Sequence, residues 1–86
     1  MKITRHIETS LNLAEKKINH ATLYEGAAAR RELAESLKHS GIAMGLALAG
    51  MEMAAALGSA EDEYFKAHEK AEDLHKQATA ALLKIS

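Results

Sequence analysis

The chain has 86 residues, a formal net charge of -1 and no cysteine. A chain of this length is expected to form a single domain with a thin core, because folding hides only roughly 60 to 65% of the surface that the unfolded chain exposes. The missing cysteines exclude disulfides and thiolate metal sites, and the interleaved charges form no basic patch that would bind a nucleic acid.

Composition favours helices along the whole chain. There is no proline or tryptophan and only one phenylalanine, whereas alanine, leucine, glutamate and lysine are abundant. These residues are strong helix formers, and little remains to build a sheet. The first twenty residues carry charges and lack the apolar stretch of a signal peptide, so we expect a cytoplasmic protein. The predicted fold class is all-α.

The first helix is predicted over about residues 3–23. Apolar residues recur there in alternating steps of three and four, as on one face of a helix. They are Ile3, Ile7, Leu11, Ala14, Ile18 and Ala21. Further along the chain the apolar stripe is shifted by about one residue, or roughly 100° of rotation. Thr22 and Glu25 have capping-box spacing and Gly26 can end a helix, which predicts a turn within 21–27. A single bent helix is the alternative.

The second boundary follows directly on the apolar middle segment. Gly58 can adopt the left-handed conformation that ends helices, Ser59 can cap the next helix, and three acidic residues at 61–63 suit that helix's start. The remaining helices are therefore predicted over about 27–57 and 60–85. Alanine recurs every seven residues in the first and third helices, which predicts closely packed antiparallel helices, although high helix propensity alone would also explain it. The expected architecture is an antiparallel three-helix bundle with a long apolar middle helix.

The stretch GIAMGLALAGMEMAAALG, residues 41–58, makes the middle helix apolar on all sides. One face carries Leu33, Leu37, Met44, Leu48, Met51 and Ala55, and the nearly opposite face carries Ile42, Leu46, Ala49, Met53 and Leu57. Two neighbouring helices cover only about half of a helix's circumference, which leaves the first face for the bundle and the second without cover. We therefore predict that the second face binds another protein chain or a second copy, and that the protein is oligomeric.

A membrane span is a weaker explanation of the same segment. It has 17 residues from Gly41 to Leu57, at the short limit of the roughly 17 to 25 that cross a bilayer. Glu52 interrupts it, alanine and glycine contribute little transfer energy, and no tryptophan or tyrosine marks an interface. Gly41, Gly45 and Gly50 each disfavour a helix, which indicates either close approach of a partner or a helix that orders on binding.

No pattern in the sequence predicts an enzyme or a cofactor site. Gly45 and Gly50 have phosphate-loop spacing, but the Lys-Ser or Lys-Thr pair that should follow is missing. His68, Glu72 and His75 lie on one helix face and are weak candidates for metal ligands, although half-buried histidines at a packing margin explain them better. If Glu52 is partly buried, it needs a cation such as Arg30, Lys66 or a partner's arginine.

The sequence thus predicts a non-enzymatic interaction module, such as a small adaptor, a chaperone-like binder or an inhibitory factor. Its docking residues are Ile42, Leu46, Ala49, Met53 and Leu57 on the middle helix, and Leu46→Glu is expected to abolish assembly. No cofactor, metal or nucleic acid is expected to bind. The alternatives are a structural homo-oligomer of helical hairpins and a metal-binding bundle that uses histidine and glutamate.

Overall fold

The computed structural model describes residues 3–59 and 61–85, and these form three helices. They are α1 (Ile3–Ala21), α2 (Gly26–Leu57) and α3 (Asp62–Ile85). No strand occurs among these residues, which confirms the all-α prediction. At 1.5 Å per residue the 32 residues of α2 extend for about 48 Å, so this helix alone spans the 47 Å long axis of the molecule.

A turn over residues 22–25 separates α1 from α2, so the two are not one bent helix. The Thr22 hydroxyl donates to the carbonyl oxygen of Asn19 at 2.7 Å and so caps the end of α1. Glu25 occupies the N-cap position of α2 without a side-chain capping bond. Gly26 has a φ of +60°, a conformation that glycine adopts without strain. The predicted turn is present, but its capping chemistry differs from a capping box.

Gly58 ends α2 in the left-handed conformation that the sequence predicts, with a φ of 68°. Its N–H donates to the carbonyl of Ala55 at 3.2 Å, and the N–H of Ser59 donates to that of Ala54 at 2.8 Å. These two bonds form a Schellman motif, which satisfies carbonyls that lack partners at the helix end.

The third helix begins at Asp62, with Asp62 and Glu63 in its first turn. Their carboxylates lie at the positive end of the helix dipole, where negative charge stabilises a helix. Ala60, the predicted first residue of this helix, lies outside the described residues.

The side of α2 that packs in the bundle is a stripe of mostly small residues. It consists of Ala29, Leu33, Ser36, Ser40, Ala43, Ala47, Gly50 and Ala54, all buried. The first apolar face does not fill this role along its length, since Leu48 and Ala55 are exposed. The expectation is correct only in part: Leu33 is buried and Leu37 and Met44 pack against the core, but small side chains let neighbouring helices approach α2 closely, which turns the larger residues to the margins.

Specific contacts fix this stripe against the other helices. The Ser36 hydroxyl donates to the carbonyl oxygen of Ala14 on α1 at 2.7 Å. The Ser40 hydroxyl lies 2.7 Å from Nδ1 of His75 on α3. A Cβ added at Gly50 would overlap the ring of Tyr64, so this glycine is required for the approach of α3. Both serines are fully buried and hydrogen-bonded, as buried polar groups need to be.

The core lies between all three helices and is thin. Its main cluster contains Ile7, Leu11, Ala14, Ala43, Ala47, Ala71 and Leu74. Helices α1 and α3 each pack extensively on α2 and contact each other much less. Because both pack along the same buried stripe, the opposite side of α2 is left without an intramolecular neighbour.

Candidate interaction surface

The uncovered side of α2 carries large apolar side chains in water. We call it the outer face; it consists of Gly41, Ile42, Gly45, Leu48, Ala49, Glu52, Met53 and Ala56, all of them exposed. Ile42 is 43% exposed, Leu48 48% and Met53 56%. Contiguous apolar surface of this kind usually marks an interaction site rather than an ordinary solvent-facing helix.

Four of the five predicted docking residues are exposed. Ile42, Ala49 and Met53 lie on the outer face, and Leu57 is 77% exposed at the end of α2. Leu46 is different, because it is only partly exposed and packs against the main core cluster. Leu46→Glu would therefore disturb the fold as well as any interface, so Ile42 is the better position for a test.

Leu48 and the two outer glycines complete this face. The helical periodicity places Leu48 with the first apolar face, whereas the structure exposes it beside Gly45. The stripe of alanine, serine and glycine is the sequence feature that predicts the exposure of Leu48. If that stripe packs in the bundle, residues on the far side of the helix face solvent.

Gly41 and Gly45 have no internal reason to be glycine. A Cβ added at either position would meet nothing within 4 Å. Each glycine costs up to about 1 kcal/mol relative to alanine inside a helix. Gly50, by contrast, is held against Tyr64. No other part of the described chain therefore packs on the outer face at 41 and 45.

One charge interrupts the outer face and another lies just before it. Glu52 is exposed and forms no ion pair within the described part of the chain, so it is not the partly buried carboxylate that would need Arg30 or Lys66. Lys38 is also exposed, fourteen residues earlier on the same helix. About 21 Å of helix separates the two, so they cannot pair within one chain.

The two shortest ion pairs among the described residues lie on a different side of α2, where it meets α1. Lys17 Nζ is 2.7 Å from Oε2 of Glu35 and 3.0 Å from Oε2 of Glu32. Its hydrogen bond to Glu35, and to a smaller extent the one to Glu32, raises the pKa of Lys17 above its ordinary value of 10.5. The bond from Lys17 lowers the pKa of Glu35 below 4.5. These charges connect two helices.

The histidine and glutamate candidates for metal binding take part in packing and surface pairing. His75 bonds to Ser40, whereas Glu72 pairs with Lys76 at 3.5 Å on the surface. His68 is partly buried on α3. Among the residues that the structure describes, no three histidine, aspartate or glutamate side chains are grouped to hold a metal.

A second apolar region lies at the end of the molecule near the α1–α2 turn. A groove of about 290 Å³ is lined there by residues that include Ile18, Tyr24 and Ile85. Leu23 and Leu83 are more than 70% exposed. This region is assembled from a turn and a helix end, whereas the outer face lies on an unbroken helix.

By length and composition, α2 would also be able to cross a membrane, and it is the one helix of residues 3–59 and 61–85 that meets this criterion. Little more than a quarter of its most apolar window is buried within the chain. No protein-family model, curated protein or solved structure matches this chain. Its function is therefore inferred from its own residues and contacts.

Proposed function

We propose that this chain is a non-enzymatic protein–protein interaction module whose docking surface is the outer face of α2. The observation that carries the proposal is the pairing of exposed Ile42, Leu48 and Met53 with glycines at 41 and 45 that the fold itself does not need. Small adaptors, chaperone-like binders and inhibitory factors work by presenting such a helix face to a partner. A cytoplasmic location suits this role.

Energetics favour a covered outer face. Burying a large apolar side chain completely stabilises by about 1.5 to 3 kcal/mol, and about half of each of these three remains in water. Covering them would therefore contribute on the order of 1 kcal/mol each. A domain's whole stability is only about 5 to 15 kcal/mol, so this gain is large for a chain with a thin core.

The bundle is proposed to be antiparallel, which makes α2 a rigid central support for the docking surface. The α1 contacts agree with this: Ala14 meets Ser36, and the later residue Lys17 meets the earlier residue Glu32. The α3 contacts run the same way, because Tyr64 meets Gly50 and the later His75 meets Ser40. A structural homo-oligomer of such chains, with no foreign partner, is the second candidate.

Ile42→Glu tests the docking surface. A carboxylate at this exposed position should leave helicity unchanged but abolish binding, because it would replace an apolar contact and would lose its water when the interface forms. Association is measured in two ways: sedimentation of the pure protein, and capture of partners from native lysate by the tagged full chain.

Leu83→Glu is the matched control, since Leu83 is 73% exposed on α3 and lies away from the outer face. It should bind as the wild type does. The proposal fails if Ile42→Glu changes neither self-association nor capture, or if both variants reduce binding equally.

A further inference from the structure

We propose that the outer face binds the outer face of a second copy of this chain, with the two α2 helices antiparallel and related by a two-fold axis at Gly45. This inference rests on the proposed function and names its partner. The observation behind it is that the outer side of α2 has a palindromic arrangement of small and charged residues.

Small residues are symmetric about Gly45. Gly41 and Ala49 lie four residues before and after it, and Ala34 and Ala56 lie eleven residues before and after it, all exposed. An antiparallel two-fold crossing at Gly45 sets residues opposite each other when their numbers add to 90, that is, to twice 45. Small residues would then meet small residues on both sides of the crossing point.

The charges fit this register and no parallel one. Lys38 lies seven residues before Gly45, and Glu52 lies seven residues after it. In the antiparallel pair Lys38 of each chain lies opposite Glu52 of the other, which forms two attractive pairs. A parallel two-fold pair would instead place lysine on lysine and glutamate on glutamate. Glu52, which interrupts the outer face, and Lys38, which lies just before it, thus become complementary only between two-fold copies that run in opposite directions.

Sterics support a close crossing at the same point. Gly45 lies two residues from both Ala43 and Ala47, about 200° around the helix from the buried stripe, so it faces directly away from the bundle. No atom of the chain lies within 4 Å of the Cβ position there. Glycine on glycine allows backbones to approach near the lower end of the usual 8 to 10 Å separation.

The large outer side chains then flank the crossing. Ile42 and Leu48 lie three residues before and after Gly45, on opposite sides of it around the helix. The two-fold axis places them at the same levels along the paired helices, where they cover both sides of the contact. A foreign protein or a lipid bilayer would give no reason for sizes and charges to match about one central residue.

A charge-reversal cycle tests the register. Sedimentation equilibrium measures the dimer dissociation constant of the full chain for wild type, Lys38→Glu, Glu52→Lys and the double variant. Each single change replaces two attractive pairs by two repulsive ones and should weaken the dimer by about tenfold, whereas the double change restores both pairs and the wild-type affinity. Helicity by circular dichroism should be equal in all four proteins.

A single introduced cysteine gives an independent test, because the natural chain has none. A mixture of Gly41→Cys and Ala49→Cys chains should form a heterodimeric interchain disulfide rapidly under mild oxidation, since the two-fold axis sets positions 41 and 49 opposite each other on either side of the close crossing at Gly45. Leu83→Cys, on the exposed side of α3, is the control and should cross-link only slowly.

Other results would overturn the inference in distinguishable ways. A dimer that ignores the charge changes uses another surface. A monomer that captures a different protein through Ile42 overturns the inference but leaves the proposed function intact. A monomer that binds phosphatidylcholine vesicles through Ile42, or nothing at all, overturns both.

Discussion

Gly50 and Gly45 lie five residues apart on α2, yet their surroundings are opposite. The Tyr64 ring occupies the space where a side chain at Gly50 would begin, whereas the space beside Gly45 is empty. Helix propensity acts equally at both positions and favours alanine over glycine. Alanine substitutions at the two positions should therefore differ in their effect on the free energy of unfolding only through packing.

Gly50→Ala is expected to destabilise the fold by about 1 to 3 kcal/mol. The new methyl group would displace Tyr64 and separate α2 from α3, which outweighs the gain of up to about 1 kcal/mol in helix propensity. Urea unfolding followed by circular dichroism measures the change in the free energy of unfolding, at concentrations where the chain is monomeric.

Gly41→Ala is the matched control for this substitution. It adds the same methyl group to the same helix where nothing lies within 4 Å, so it should stabilise the monomer slightly. Equal effects of the two substitutions would mean that Tyr64 does not pack on Gly50.

Single residues also show which features the sequence could predict. Gly58 ends α2 as predicted. A glycine followed by acidic residues favours the end of one helix and the start of the next through local preferences, which tertiary packing does not change. The sequence pattern does not predict the exposure of Leu46 and Leu48, since each lies at a margin between the bundle and solvent. Their exposure depends on the rotation of α2 against its neighbours, which periodicity alone does not fix.

Helix α2 carries small residues on two opposite sides. One stripe, represented by Ser36, Ala43 and Gly50, packs in the bundle, and the other, represented by Gly41, Gly45 and Ala49, faces solvent. Large apolar residues usually mark the core, so periodicity predicts a bundle face that is rotated towards one margin of the observed stripe. In α2 the small residues face the core and larger ones lie at its margins, because α1 and α3 approach closely. That approach depends on three-dimensional contacts, which the sequence pattern does not show.

The ion pairs between α1 and α2 make stability depend on pH. The lowered pKa of Glu35 means that its carboxylate contributes fully above its ordinary value of 4.5, and that the contribution is lost as pH falls through the folded-state pKa below that value. The raised pKa of Lys17 means that its contribution is fully present below 10.5 and is lost as pH rises through a folded-state value above that.

Glu35→Gln is expected to flatten the acid side of this profile. The variant should be less stable than the wild type at neutral pH, and the difference should shrink as pH falls below 4.5 and through the lowered folded-state pKa of Glu35, where the wild-type carboxylate becomes protonated. The urea midpoint, measured from pH 3 to pH 7 in about 0.1 M salt, gives the comparison.

Glu69→Gln is the control for removing a carboxylate from the surface. Glu69 is exposed on α3 and forms no ion pair with any residue that the structure describes. Its profile should follow that of the wild type. If Glu35→Gln also follows the wild type, the contact with Lys17 contributes nothing to folding.

The Cα atoms of the three-helix bundle extend over 47 × 22 × 13 Å. Such a long, flat arrangement places α1 and α3 against one side of α2 and gives little depth to the core. Alanine fills much of that core, for instance at Ala14, Ala43 and Ala71, and each alanine buries little apolar area. A second layer on the outer face would supply the burial that one chain lacks.

Assembly through this face should make thermal stability depend on concentration. A dimer that dissociates when it unfolds gains about 1.4 kcal/mol for each tenfold rise in concentration, which corresponds to an increase in Tm of roughly 3 to 5 °C for chains of this size. Differential scanning calorimetry over a hundredfold concentration range measures the slope.

Gly45→Leu should remove that slope without unfolding the chain. The added side chain starts in open space within the monomer but stands between the two backbones at the proposed crossing point. At low concentration, where the wild type is monomeric, the variant should melt no lower than the wild type, because leucine is a better helix former than glycine. An unchanged concentration dependence in Gly45→Leu would show that the chains associate elsewhere, for example through the groove beside Tyr24 and Ile85.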